Sequence, residues 1–245
     1  MKMRKRMFLY VLCSLLTVFQ PAYCVNPVKI DTVKNVPEYQ LQAGKAVSIS
    51  FTCNDGCHDA FYIVSMNDLG EYERGSSVEF SYHTVLSTLD VDFKDENYFI
   101  LRVKGDENST KLFEFFADNT SVEWSHMKFS QQGEKVAVNT ISTSHGNDND
   151  ASAGYIRNHI SQYGYLRSYI HNHPSNIGYP SGLGTNNAWG DMAFLYNLIY
   201  YATDNGSLYP SSYIYTSKDK RYAKYSLEAE NVVKIELPEV ITYPN

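Results

Sequence analysis

The chain has 245 residues, of which 43% are hydrophobic, and its 21 basic and 27 acidic side chains give a formal net charge of −6. A chain of this length and composition can bury one large core or two small ones. The acidic balance excludes nucleic acid as the partner, because no basic block is present beyond the N-terminus to neutralise phosphates.

The first 24 residues predict a signal peptide for export. A basic start is followed by an apolar stretch at residues 7–19 and by small residues, Ala22 and Cys24, before the expected cleavage. The apolar stretch is too short for a stable membrane span. Tyr23 is too bulky for the position before a lipidated cysteine, which disfavours a lipoprotein. We therefore expect an exported protein (periplasmic, cell-surface or secreted) that loses four of its 21 basic residues with the leader and keeps all 27 acidic ones, for a net charge of −10.

Residues 25–107 predict a small β-rich accessory region. Its short runs of β-branched and aromatic residues alternate with turn signals, and they lie at residues 46–52, 60–65, 77–82 and 98–103. The polar segment at 105–109 is the expected joint to the next domain.

The mature chain retains two cysteines, Cys53 and Cys57, on either side of an Asn-Asp-Gly turn. In an oxidising compartment this pair can close a local disulfide. Half of a zinc ribbon is the competing interpretation, and it lacks a second cysteine pair.

The rest of the chain, residues 108–245, alternates helical and β-type patterns. The sequence predicts an α+β domain with a mixed, largely antiparallel sheet between helices, in three αβα layers. The predicted elements are a helix at 111–118, strands at 121–129 and 136–143, a helix at 154–163, a strand at 165–170 leading into His171, a helix at 191–202, and a hairpin of 212–216 with 222–227.

Two histidines, His171 and His173, stand at the end of a predicted strand, where Pro174 denies the chain a further ladder donor. Side chains two apart on a strand project from one face, so both imidazoles can converge on one metal ion. Asp191, at the start of the next helix, supplies a carboxylate from a different element. Such a set suits Zn²⁺ in the open coordination of a catalytic site.

The run H-x-H-P, then six residues, then Ser181 resembles the motif of the JAMM (JAB/MPN-type) zinc metalloproteases. In that family an Asp usually follows the Ser by three residues, where this chain has Gly184, and the next acidic residue here is Asp191. A longer gap also occurs in JAB-like domains of bacterial secreted and toxin-like proteins, which this chain resembles more than it does the eukaryotic deubiquitinases.

The resemblance implies roles for individual residues. His171, His173 and Asp191 would bind one Zn²⁺ per chain, Glu123 would act as general base and acid, and Ser181 would stabilise the oxyanion. The implied activity is hydrolysis of peptide or isopeptide bonds, with a peptide or protein as substrate. Oligomeric state is not predicted.

Alternatives exist for both the site and the function. Asp191 could be only a helix cap, with Asp148 or Asp150 as the third ligand. The domain could be a binding module that kept the fold without the chemistry, or a toxin-like effector. Among the other histidines, His126 is expected to face solvent or a neighbouring strand, and His145 to lie in a solvated loop.

Overall fold

A computed structural model describes most of the chain after residue 44. The described residues are 45–49, 58–66, 72–81, 84–93, 96–130, 136–144, 146, 151–184, 189–227 and 234–235. The predicted signal peptide, the cysteine pair Cys53 and Cys57, and His145, Asp148 and Asp150 lie outside them.

The described strands form two sheets. A three-stranded antiparallel sheet has the order β1-β2-β3, with bounds Lys45–Ile49, His58–Met66 and Tyr72–Ser81. The larger sheet has the order β11-β10-β9-β8-β6-β7-β5-β4. Its strands are β4 (Val85–Phe93), β5 (Glu96–Lys104), β6 (Ser125–Ser130), β7 (Val138–Thr143), β8 (Tyr165–Asn172), β9 (Ser211–Thr216), β10 (Arg221–Tyr225) and β11 (Lys234–Ile235).

Pairing within the larger sheet is antiparallel except between β8 and β9. A parallel pair needs a crossover connection, and a helix supplies it here. The helices are α1 (Asp106–Asn119), α2 (Ala151–Asn158), a 3₁₀ turn (Ile160–Gln162) and α3 (Gly190–Asp204), of which α3 joins β8 to β9.

The helices cover both faces of the larger sheet. Helix α1 buries Leu112, Phe113, Phe116 and Ala117, whose spacing gives one apolar stripe, against a core on one face. Helices α2 and α3 close the other face, where their buried members are Ala153, Ile156, Leu198 and Ala202. This arrangement confirms the predicted α+β fold with a mixed, mostly antiparallel sheet.

Several elements differ from the prediction. Strands β4 and β11 were not expected, and β6 begins at Ser125, so Glu123 lies just before the strand and not within it. The 105–109 segment is no linker, because Gly105, with φ of 87°, precedes α1 and Asp106 begins it. The expected boundary at residue 107 therefore falls inside α1, and β5, from before it, pairs with β7, from after it. The division into an accessory region and a metallohydrolase domain stays a prediction.

His126 also differs from the expectation that it meets solvent or a neighbouring strand. Its side chain is fully buried under α1, where the ring stacks on Phe113 at 5.5 Å and Nε2 lies 2.9 Å from Ser109 Oγ. None of the helices in the described part of the chain has the length and apolar character needed to cross a membrane.

Candidate metal centre

Strand β8 carries the two histidines at the centre of the larger sheet. His171 is fully buried within the strand, and His173 follows its last residue. A central strand covered on both faces is expected to be buried along most of its length, as β8 is. One imidazole therefore lies inside the domain, and the second lies just beyond the end of the strand.

The segment after His173 folds back so that Ser181 lies against Asp191, at the start of α3. The Ser181 backbone N–H donates to Asp191 Oδ2 at 2.7 Å, and the Asp191 N–H donates to Ser181 Oγ at 2.9 Å. Asp191 is the second residue of α3, so the hydroxyl satisfies a backbone donor that the helix leaves unpaired. This reciprocal pair fixes the Asp191 carboxylate beside the histidines.

Asp191 and the two imidazoles converge on one point. His171 Nε2 lies 3.0 Å from His173 Nε2 and 3.5 Å from Asp191 Oδ1, and His173 Nε2 lies 3.2 Å from Asp191 Oδ2. Tetrahedral ligands about 2.0–2.1 Å from Zn²⁺ are separated by about 3.3 Å. The three side chains thus have the separations that one zinc ion requires, and they are the group in the described residues that could hold a metal.

Hydrogen bonding at the far side of His173 favours a metal ligand. Its Nδ1 lies 2.8 Å from the Ile177 carbonyl oxygen, which can only accept, so Nδ1 carries the proton. Nε2, which faces His171 and Asp191, is then the ring atom through which His173 would bind a metal. A backbone carbonyl that fixes the tautomer in this way is the usual support of a metal-binding histidine.

The Asp191 carboxyl is held ionised. Burial raises its pKa, but the charge of His171 and hydrogen bonds from His171, His173 and the Ser181 N–H outweigh burial and bring the pKa far below its ordinary value. A carboxylate in this state is the form that binds a cation.

Glu123 lies two residues before β6, the strand that pairs with β8. Ser125 pairs with His171 in the β6–β8 ladder, and the Asn172 N–H bonds the Trp124 carbonyl oxygen at 3.2 Å. Continued by one more residue, this register places Glu123 opposite His173, on the sheet face that carries both imidazoles. Glu123 is only 6% exposed.

Sequence reasoning named the three converging residues, Glu123 and Ser181, but it missed the residues that support them. Asn172, between the histidines, bonds the backbone on both sides of Glu123. Gly190 has a φ of 66°, which favours glycine, and a side chain there would meet Ser181. Positive φ and partners about fifty residues away leave no local pattern in a single sequence.

Comparison with known proteins agrees with this geometry. Residues 101–196, which include all the candidate site residues, match a family model described as JAB-like toxin 1. No curated protein and no solved structure gives a significant match to the chain. The converging triad and the family match together support a JAB-like domain in this part of the chain, which is similar to the JAB-like toxin 1 family.

Proposed function

We propose that the protein is an exported zinc metallopeptidase that hydrolyses peptide or isopeptide bonds. The observation that carries the proposal is the convergence of His171, His173 and Asp191 at the separations of a zinc site. The signal-like N-terminus and the toxin description of the matching family support export.

In this proposal one group of residues binds the zinc ion and Glu123 transfers the proton. A zinc ion in this site would supply Lewis acidity and bring the pKa of a water to about 7. Glu123 takes the proton of the attacking water and later gives it to the leaving amine. With His171, His173 and Asp191 as its three protein ligands, a zinc ion would have a fourth position open to water, as in catalytic sites and unlike structural ones.

In the proposed reaction Ser181 stabilises the oxyanion. Its Oγ accepts from the Asp191 N–H, so the hydroxyl proton remains to be donated. Among the described residues no acceptor is recorded for that proton. A donor held in place by an acceptor bond is preorganised for charge that develops only in the transition state.

Exposed apolar side chains lie in the chain segments next to the ligands and support a choice of substrate. Ile177 and Tyr179 lie in the segment between His173 and Ser181, and Trp189 immediately precedes α3; they are 42%, 58% and 58% exposed. Aromatic rings at such a rim hold apolar side chains at low entropic cost. We therefore expect cleavage next to apolar or aromatic residues of a peptide or protein.

Zinc content and cleavage of a peptide library test the proposal. The purified protein is expected to bind one zinc per chain, and His171→Ala is expected to lose it. Cleavage by the wild type should fall by about 10²- to 10⁴-fold in Glu123→Gln, which keeps the ion and removes the proton carrier. Wild type without zinc would exclude the enzyme, and zinc binding without cleavage would favour the alternative of a non-catalytic binding module.

A toxin-like effector is the second candidate, and the description of the matching family favours it. The chemistry would be the same, but the substrate would be a protein of another cell. Inducible expression without the leader distinguishes this candidate, because a toxin arrests growth as wild type and not as Glu123→Gln.

A further inference from the structure

Asn172 lies between the two histidine ligands, and its side chain bonds a different part of the chain. Its Oδ1 accepts from the Trp124 N–H at 2.7 Å, and its Nδ2 donates to the Val122 carbonyl oxygen at 3.2 Å. These two backbone groups belong to the residues immediately before and after Glu123. The amide thus holds the segment 122–124 on both sides of the candidate base.

The Glu123 backbone is itself fixed on the opposite side. Its N–H donates to the Gly146 carbonyl oxygen at 2.7 Å, and its carbonyl oxygen accepts from Thr143 Oγ1 at 2.7 Å. Ladder pairing of β6 begins only at Ser125, and before it side-chain hydrogen bonds from Asn172 and Thr143 supplement the backbone bonds. Asn172 is the member of this set that belongs to the metal-binding strand.

We propose that Asn172 is a positioning residue that sets the distance between Glu123 and the metal centre. This inference rests on the proposed function, because Asn172 would position Glu123, the general base of that reaction. The strand that carries the imidazoles then also locates the proton carrier. If the imidazoles move, Glu123 moves with them, so the distance between the base and the metal ligands is kept.

The chemistry of the position demands an amide. Asn172 is fully buried, and it must supply one acceptor and one donor about two bonds beyond Cβ. Aspartate could accept from Trp124 but could not donate to the Val122 carbonyl. Alanine would leave both backbone groups unbonded in the interior, where each costs free energy.

Cobalt substitution tests the inference without any substrate. The full protein is loaded with Co²⁺, and its visible absorption is followed against pH, which reports ionisation at the centre. Glu123→Gln is expected to shift the midpoint of this transition. Asn172→Ala is expected to shift it in the same direction, and the double variant should shift it no further than Glu123→Gln alone.

Asn139→Ala is the matched control. Asn139 is also a fully buried strand asparagine, and its Oδ1 accepts from the Phe129 N–H at 3.0 Å, at the far end of β6. Its loss should lower the melting temperature but leave the cobalt transition unchanged. If Asn172→Ala does not fold, the similarly shaped and uncharged Asn172→Leu takes its place, with a shift in the midpoint again expected.

Kinetics give the second measurement once a cleaved peptide is known. Asn172→Ala should lower kcat by about 10- to 100-fold with KM within about twofold, because a small displacement of a catalytic group costs this much. A wild-type midpoint and kcat in Asn172→Ala, with both changed in Glu123→Gln, would overturn the inference alone. Failure of the wild type to bind Co²⁺ more tightly than His171→Ala would remove the proposed function and the inference together.

Discussion

Three polar side chains at the centre, those of His173, Asp191 and Ser181, are each held by a hydrogen bond to the backbone. His173 Nδ1 donates to the Ile177 carbonyl oxygen, Asp191 Oδ2 accepts from the Ser181 N–H, and Ser181 Oγ accepts from the Asp191 N–H. Orientation is therefore set by bonds to the backbone, which do not change when a ligand binds. Such support is what gives a metal site its affinity and geometry.

Ser181→Ala separates the two roles of that hydroxyl. It removes the proposed oxyanion donor, worth about 10²- to 10³-fold in kcat, but it keeps the Ser181 N–H bond to the carboxylate. We expect kcat to fall by that factor, while zinc affinity changes by less than about tenfold. Steady-state kinetics and zinc titration measure the two effects.

Ser175→Ala is the control, because Ser175 is exposed in the same segment and should behave as wild type. Loss of zinc binding in Ser181→Ala in proportion to kcat would contradict the assignment. The serine would then support the ligand set and not the oxyanion.

At this scale the sequence predicted the residues that converge but not their supports. His171, His173 and Asp191 were recognisable from residue type and spacing, and the structure brings them together. The alternatives Asp148 and Asp150 lie outside the described residues. Asn172 could not be recognised, because its partners lie about fifty positions earlier and adjoin it only once β6 and β8 pair.

The N-terminus of α3 determines where the acidic ligand stands. An acidic side chain in the first turn of a helix is stabilised by the positive end of the helix dipole. Gly190 makes the turn into α3 with a φ of 66°, and a Cβ there would lie 2.9 Å from the Ser181 carbonyl carbon. Close approach of the two segments, and hence the Ser181–Asp191 pair, requires glycine at this position.

Gly190→Ala should therefore weaken the metal site without touching a ligand. The added methyl group must push Ser181 away from Asp191, and loss of such support typically costs about 10- to 100-fold in metal affinity. Zinc titration of the purified variant against wild type measures the change.

Gly184→Ala provides the comparison for backbone strain alone. Gly184 has a similar φ of 77°, but a Cβ built there meets nothing within 4 Å. Its zinc affinity should remain that of wild type. Equal losses in the two variants would mean that strain, and not contact with Ser181, is responsible.

Element types were predictable where periodicity was strong, and boundaries were not. The apolar stripe of α1 and the apolar run of β8 indicated their elements, although both extend beyond the predicted limits. The strand expected at 121–129 starts at Ser125, because the backbone of the preceding residues bonds partly to the side chain of Asn172. Strand β11 contains two residues, too few for any periodic signal.

A buried polar network connects α1 to the larger sheet and so joins the parts of the domain. Arg167, on β8, donates two hydrogen bonds to the Asp106 carboxylate at 2.6 and 3.0 Å, and Asn139, on β7, donates to the same carboxylate at 2.9 Å. Asn139 also donates to Ser109, which lies 2.9 Å from His126 Nε2. Buried hydrogen bonds that join a helix to a sheet in this way favour one position of the helix on the sheet.

This network makes the stability of the whole domain depend on pH through His126. Burial, with the positive charges of Lys128 and Arg167, lowers its pKa well below the ordinary 6.5, so the folded protein keeps the ring neutral. The unfolded chain binds a proton below pH 6.5 that the folded chain does not. Stability is therefore complete above that pH and is lost as the pH falls toward the folded pKa.

Urea unfolding at pH 7.5 and 5.5, with a chelator present, measures this dependence. The wild type should lose about 1.4 kcal/mol more over that interval than His126→Gln, because one proton separates the folded and unfolded states in the wild type only. Protonation of the ligand histidines is common to both proteins and cancels in the difference. Equal losses would show that the folded protein accommodates a charged His126, which contradicts a neutral ring under α1.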